Sequence, residues 1–275
     1  MRSRRSFITL CLLLTAFTAA KAQTSEPVIA PTDNEYNVGA VLFTQKAAEY
    51  RALAYQAFNI ARERLDADLD KKNIKKLPKV ERKRPRAIAV DIDETVLDNS
   101  ASQAFRIINK KPYTRQDRHA WQEKHPAKAV PGALDFINYA VSKGVKVFYI
   151  SNRDEVQMQA TIDNLKAAGF PDISSENVLL RGTVGSKEPR RQKIAETYRL
   201  VLLMGDNLDD FSDVFERKST AERFAETDKA REFWGKRFIV VPNAMYGTWE
   251  SAIYNYETLT DEQKAEKRAE ALELP

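Results

Sequence analysis

The chain has 275 residues, 43% hydrophobic and 30% charged, with a single cysteine and a formal net charge of +5. One cysteine excludes a disulfide framework, and no stretch reaches the roughly 18 uninterrupted apolar residues that a bilayer-spanning helix needs. Four of the 44 basic residues and none of the 39 acidic ones fall within positions 1–22, leaving 40 against 39 in the remainder, so the basic excess belongs to the N-terminus and argues for no nucleic acid polymer as partner.

Arg2, Arg4 and Arg5 precede an apolar run from Phe7 to Ala20, and Ala20-Lys21-Ala22 supplies the small-residue pattern of a cleavage site. This layout predicts a signal peptide over residues 1–22 and a mature chain that is exported, periplasmic or secreted, with no transmembrane segment. Ser3-Arg4-Arg5-Ser6-Phe7-Ile8 also resembles a twin-arginine signal, so Sec and twin-arginine export both stay open. Cys11 lies inside the apolar run behind Leu10, where a lipid-attachment site wants a small residue, and no lipid anchor is expected. Residues 23–37 are rich in Pro, Thr, Asn and acids without periodicity and read as a surface leader. Residues 38–275 suit one domain with a sizeable core and a modest insertion.

Tyr50, Leu53, Ala54, Ala57, Phe58, Ala61 and Leu65 recur at three- and four-residue steps, which predicts a helix with one buried face in an N-terminal helical layer. The basic run Lys79–Arg86 reads as a solvated connector. Short apolar runs then alternate with helical patterns: 87–90, 145–150, 177–180, 200–204 and 237–241, separated by amphipathic stretches near 132–143, 155–168, 188–198 and 213–234. This predicts an α/β fold, a doubly wound parallel sheet covered on both faces, with ligands bound at the carboxyl ends of the strands. Residues 99–130 interrupt the alternation, carry His119 and His125 and several aromatics, and read as a small helical cap. Thr260-Asp-Glu-Gln263 reads as a capping box opening an exposed charged helix.

Polar groups accumulate where the strands end. Asp91 and Asp93 follow the first strand, and side-chain alternation lets both leave the sheet on one side. Two carboxylates directly after a buried strand are costly unless something cationic joins them. Ser151-Asn152-Arg153 ends the second strand and, taken alone, reads as a helix cap with a surface Arg. Asp206, Asp209 and Asp210 crowd behind the fourth strand, an arrangement that favours a hard, oxygen-seeking cation. Ser186-Lys187-Glu188 opens a helix after the third strand, where a lone Lys is normally solvated.

Together these four segments resemble the motifs of the haloacid-dehalogenase (HAD) superfamily. Val90–Ser100, Ala129–Gly132, Val147–Arg153, Gly205–Phe211 and Pro242–Glu250, with Ala48–Tyr55 at the N-terminus, further resemble the bacterial class C acid phosphatases, the lipoprotein 5′-nucleotidase family, over nearly the whole mature chain. The resemblance implies a HAD-like Rossmannoid phosphatase that acts on small-molecule phosphate monoesters, nucleoside 5′-monophosphates among them, through an aspartyl-phosphate. Asp91 would be the nucleophile and Asp93 the acid and base. Asp91, Asp206 and the backbone carbonyl of Asp93 would bind Mg²⁺, with Asp210 orienting its waters. Thr95, Ser151, Asn152 and Lys187 would meet the phosphoryl group, with Arg190, Arg191 and Lys193 as other sources of that charge. Trp121 and Tyr246 would stack on a base. The family's Tyr after Asp98-Asn99-Ser100 is here Ser102, with Phe105 nearby. His119 and His125 lack the Arg-Gly-rich signature of histidine phosphatases and read as surface or packing residues.

The resembled family is typically lipid-anchored, a property that Leu10 before Cys11 argues against here, and it implies a homodimer through the N-terminal helical layer. Two other readings stay open. A phosphotransferase would pass phosphate to an alcohol from the same intermediate, and a non-catalytic binding or storage protein would keep the fold but lack the first Asp, which this chain retains as Asp91.

Overall fold

The computed structural model describes residues 34–124 and 126–275. The signal expected over 1–22, most of the leader over 23–37, and His125 lie outside the described residues. Helices α1 (Val38–Lys46) and α2 (Ala48–Leu69) come first, then the short α3 (Lys71–Ile74) and α4 (Lys79–Lys83). They are followed by β1 (Arg86–Val90), β2 (Leu97–Asp98), α5 (Ser100–Ile108), α6 (Arg115–Lys124), β3 (Lys128–Ala129), α7 (Ala133–Ser142), β4 (Lys146–Asp154), α8 (Met158–Ala167) and β5 (Val178–Arg181). The chain ends with α9 (Glu188–Thr197), β6 (Arg199–Gly205), α10 (Thr220–Lys229), β7 (Phe238–Val240), α11 (Thr248–Ile253) and α12 (Asp261–Glu270). Among the described residues no helix is long and apolar enough to cross a membrane.

Five parallel strands form one sheet in the order β5-β4-β1-β6-β7. Alternation within β1 feeds both faces: Ile88 and Val90 join the core under α2, α7 and α8, while Ala87 and Ala89 face Ile194, Phe211 and Phe215. From β1 the chain moves outward through β4 and β5, then returns to β6 on the other side. The carboxyl end of β1, between β4 and β6, is therefore a topological switch point, where open α/β sheets bind ligands.

Helix α2 buries Tyr50, Ala54, Ala57, Phe58, Ala61 and Leu65. Leu53, expected in that stripe, falls on its rim and is exposed. Gly132, with φ of 86°, starts α7 beneath α2, and a Cβ there would lie 3.1 Å from Tyr55 Cδ1 and 3.2 Å from Phe58 Cδ2. Glycine supplies both the left-handed turn and the close approach. The helical stretch expected over 213–234 contracts to α10, because Ser219 and Glu222 form a reciprocal capping box that starts the helix there. Thr260 and Gln263 cap α12 in the same way, as their spacing predicts.

Candidate active site

The Asp91 backbone N–H donates to the Met204 carbonyl at 2.9 Å, so the chain is still in register with β6 when it delivers this carboxylate to the switch point. A sharp turn follows. Glu94 adopts φ of 60°, a conformation that costs a non-glycine residue roughly 1–2 kcal/mol and concentrates at functional sites. Its N–H donates to the Leu97 carbonyl at 2.7 Å and its Oε1 accepts the Asn99 N–H at 2.8 Å. The turn thereby brings Asn99 Nδ2 to Asp93 Oδ1 at 2.8 Å.

Asp91, Asp206 and Asp210 each place a carboxylate oxygen within 4.8 Å of the others. Buried Lys187 pairs with Asp91 and, at 2.6 Å, with Asp210. Asp210 is fixed by the Asn207 N–H at 3.0 Å and by its contact with Gly205, where any Cβ would overlap the Asp210 side chain. Asp206 accepts from Thr95 Oγ1 at 2.9 Å and Asn243 Nδ2 at 2.8 Å. Thr95, expected at the phosphate, is fully buried and donates its hydroxyl to Asp206. Arg191 holds the same loop through the Asp209 and Asp210 carbonyls at 3.1 and 2.9 Å. On its other side, Asp206 borders a cavity of about 350 Å³ lined by Phe43, Tyr50, Pro242 and Asn243, so the N-terminal helices reach the site.

Burial opposes charge on Lys187, but Asp210 and Asp91 more than offset it and raise its pKa. One ammonium among so many acids leaves negative charge in surplus. Burial, with Asp210, Asp206 and Asp93 nearby, pushes the Asp91 carboxyl well up against the pull of Lys187. Burial and Asp210 lift Asp206 to about 7. Converging hard oxygen donors with too little positive charge fit a divalent cation. The Asp93 side chain is not part of this cluster.

Asp93 turns instead to Arg153. The guanidinium is completely buried and reaches both Asp93 oxygens from Nε at 3.1 Å, and Oδ1 from Nη2 at 2.7 Å. Ser151 Oγ lies 3.4 Å from Asp93 Oδ2. Although burial pushes the Asp93 carboxyl up, Arg153 holds it below its ordinary value. The surface Arg read from Ser151-Asn152-Arg153 is thus corrected: the motif continues β4, and Ser151 and Arg153, two apart in one strand, are both buried. Lys187, which alone would read as solvated, is likewise buried. Arg190 joins Ser151 O at 2.7 Å, Asn152 Oδ1 at 2.7 Å and Ser186 O at 3.1 Å, tying the loop after β4 to the loop that carries Lys187.

Trp121, on α6, packs on Phe105 of α5 with ring centroids 5.2 Å apart. The Tyr246 carbonyl accepts from Asn243 Nδ2 at 3.1 Å, the same amide that donates to Asp206. His119 is no idle surface residue: its Nε2 lies 2.6 Å from Asp154 Oδ2.

A family model described as HAD superfamily, subfamily IIIB (Acid phosphatase), matches residues 11–249. The class C acid phosphatase from Bacillus anthracis is similar in structure, with a TM-score of 0.81 and 38% identity over 87% of this chain and 98% of that one. The same enzyme with tungstate bound matches equally well. Acid phosphatase 1 of Solanum lycopersicum is 28% identical over 128 residues, and the match spans 49% of that protein's length. The family match begins at Cys11 and so includes the cysteine set aside in the sequence reading. The expectation that no lipid anchor is present is corrected accordingly: a Leu before Cys11 does not exclude one when the family match takes in that cysteine.

Proposed function

Because the chain belongs to the HAD-superfamily acid phosphatases of subfamily IIIB, class C, we propose that it hydrolyses small phosphate monoesters with Asp91 as the nucleophile. The observation that carries this reading is the buried Asp91 carboxylate at the switch point, grouped with Asp206, Asp210 and the Lys187 ammonium. A carboxylate oxygen of Asp91 attacks phosphorus, the bond from phosphorus to the leaving oxygen breaks, and Asp93 gives that oxygen a proton. Water then attacks the aspartyl-phosphate and passes its proton to Asp93, which frees Asp91 and inorganic phosphate. Arg153 keeps Asp93 in the carboxylate form that the second half needs, and acid supplies the protonated form for the first. Ser151 and Lys187 bind the phosphoryl oxygens, with Asn152 beside them. Asp91, Asp206 and Asp210, with the backbone carbonyl of Asp93, would hold Mg²⁺, which when bound offsets the negative charge gathered as carboxylate meets phosphate.

The test is phosphate release from a panel of monoesters, with Mg²⁺ and with EDTA, by wild type and Asp91→Asn. The variant keeps its fold and has no turnover, because the change removes reactivity without removing volume. Multiple turnover by a wild-type-free preparation of Asp91→Asn sinks the mechanism. The Trp121–Phe105 pair favours a leaving group with an aromatic ring, hence nucleoside 5′-monophosphates. Stacking on an aromatic is worth about 1–3 kcal/mol per base, so Trp121→Ala lowers kcat/KM for a nucleotide roughly 5- to 150-fold. Glycerol phosphate, with nothing to stack, loses far less; equal losses leave a general phosphomonoesterase.

A further inference from the structure

Helix α6, which carries Trp121, has little to keep it in place by apolar packing. Of its ten residues only Gln122 is buried, and isolated helices shorter than about 12–15 residues are marginal in water. Its contact with α8 is polar and poorly matched. Asn164 Nδ2 donates to the Gln122 carbonyl at 2.9 Å, but Gln157 Nε2 reaches the His119 carbonyl and Glu123 Oε1 only at 3.4 Å. Gln157, Thr161 and Asn164 fall on one stripe, at i, i+4 and i+7. Each of them, like Gln122 opposite, keeps a buried side-chain oxygen that meets no hydrogen-bond partner among the described residues. An unmet polar group in the interior opposes burial, so this interface does not secure the helix.

Asp154, the last residue of β4, does. Its buried carboxylate is met by Arg115 through Nε and Nη2, by Arg118 Nη2 at 3.4 Å and by His119 Nε2 at 2.6 Å, all from α6, and by Arg181 from the end of β5. The hydrogen bonds from Arg115 lead in holding its carboxyl far below the ordinary range. Asp154 follows Arg153 directly, so the strand end that aims Asp93 also carries the anchor of α6. Arg118 and His119 are thereby held against the residue next to Arg153, which itself grips Asp93.

We propose that Asp154 is a positioning residue for substrate selection: by gathering Arg115, Arg118 and His119 it docks α6 and sets Trp121 where a leaving group can meet it. Preference among monoesters then depends on an ion-pair hub that touches neither phosphate nor metal. This rests on the reading of Trp121 as an aromatic contact.

A double-mutant cycle tests it, with kcat/KM measured for a nucleoside 5′-monophosphate and for glycerol phosphate on wild type, Asp154→Asn, Trp121→Ala and the double variant. Asp154→Asn should lower the nucleotide value roughly 5- to 50-fold, mainly through KM, and the glycerol phosphate value far less. In the Trp121→Ala background the same change should cost under about twofold, because its effect has already been removed. An equal cost in both backgrounds overturns the role of Asp154 while leaving the nucleotide reading standing. If Trp121→Ala alone depresses both esters equally, the nucleotide reading fails and this inference falls with it. Should Asp154→Asn not fold, Arg115→Gln, which removes the most exposed partner of the hub, replaces it in the cycle and is judged by the same two outcomes.

Discussion

Replacing Arg153 by methionine separates the aiming of Asp93 from the rest of the site. The guanidinium supplies three of the contacts to Asp93, at 3.1, 3.1 and 2.7 Å, and Asn99 at 2.8 Å and Ser151 at 3.4 Å would remain. Hydrogen bonds to a charged group are worth about 1.5–3 kcal/mol, which corresponds to roughly 10- to 150-fold in rate. The ceiling is complete loss of acid–base catalysis, on the order of 10²- to 10⁴-fold. Methionine fills much of the volume, and the Asp93 side chain, 21% exposed, can turn to solvent. The stability cost should therefore stay below the roughly 3–5 kcal/mol of a wholly buried orphan charge.

Esters of graded leaving-group strength give the assay. An alkoxide departs only with a proton and a nitrophenolate departs without one, so Arg153→Met should lose most on glycerol phosphate and least on 4-nitrophenyl phosphate. Since Arg153 lowers the Asp93 carboxyl, its removal raises that carboxyl, and the pH profile for the alkyl ester should move to higher pH. Equal losses on both esters with an unmoved profile would refute the assignment of Arg153 to Asp93 and leave it a packing residue.

Asp206→Asn removes one of three clustered carboxylates and should raise the Mg²⁺ concentration for half-maximal activity by more than about tenfold; calorimetric titration showing wild-type affinity would demote Asp206 to a structural acid. Gly205→Ala puts a Cβ into the Asp210 side chain, so denaturant unfolding should register a loss of about 1–3 kcal/mol together with lost metal-supported activity. Gly39→Ala, on α1 with nothing within 4 Å of its Cβ, should be neutral or stabilising, and equal damage from both changes would remove the special claim on Gly205. Asp68 pins α2 to the starts of β1 and β6 through Arg86 at 2.6 Å and Arg199 at 2.6 and 2.7 Å. Burial alone would raise its carboxyl, but Arg199 and Arg86 bring it below the ordinary value. A depressed carboxyl stabilises above its unfolded pKa and ceases to do so as pH falls through the folded one. The cost of Asp68→Asn, about 1.5–3 kcal/mol at pH 7, should therefore shrink below about pH 4, and a difference that ignores pH would mean lost packing instead of lost charge.

The parts of this molecule legible in the sequence are those with local causes. Apolar runs placed β1, β4, β5 and β6 within a residue or two at most ends, apart from the continuation of β4 to Asp154, because a strand buried on both faces must be apolar throughout. Acids stranded behind β1 and β6 marked the site, since burying them apart from a partner is expensive. Lys187 drew meaning only from its company: a single Lys at a helix start carries no sign of the two carboxylates that reach it across the sheet. Arg153 was nearer to being readable. Its spacing from Ser151 repeats that of Asp93 from Asp91, and extending the two-residue period one step past the apolar run would have turned it inward. The hydrogen-bond partner of Thr95 was hidden, because Asp206 is brought close to it only by the pairing of β1 with β6. Helix α6 marks the limit of local reasoning. Its residues are nearly all polar, its apolar periodicity is faint, and its anchor lies 35–39 residues away at the end of β4. A buried charge selects partners by what the fold brings within reach, so a hub such as Asp154 has no pattern to display until the sheet is assembled.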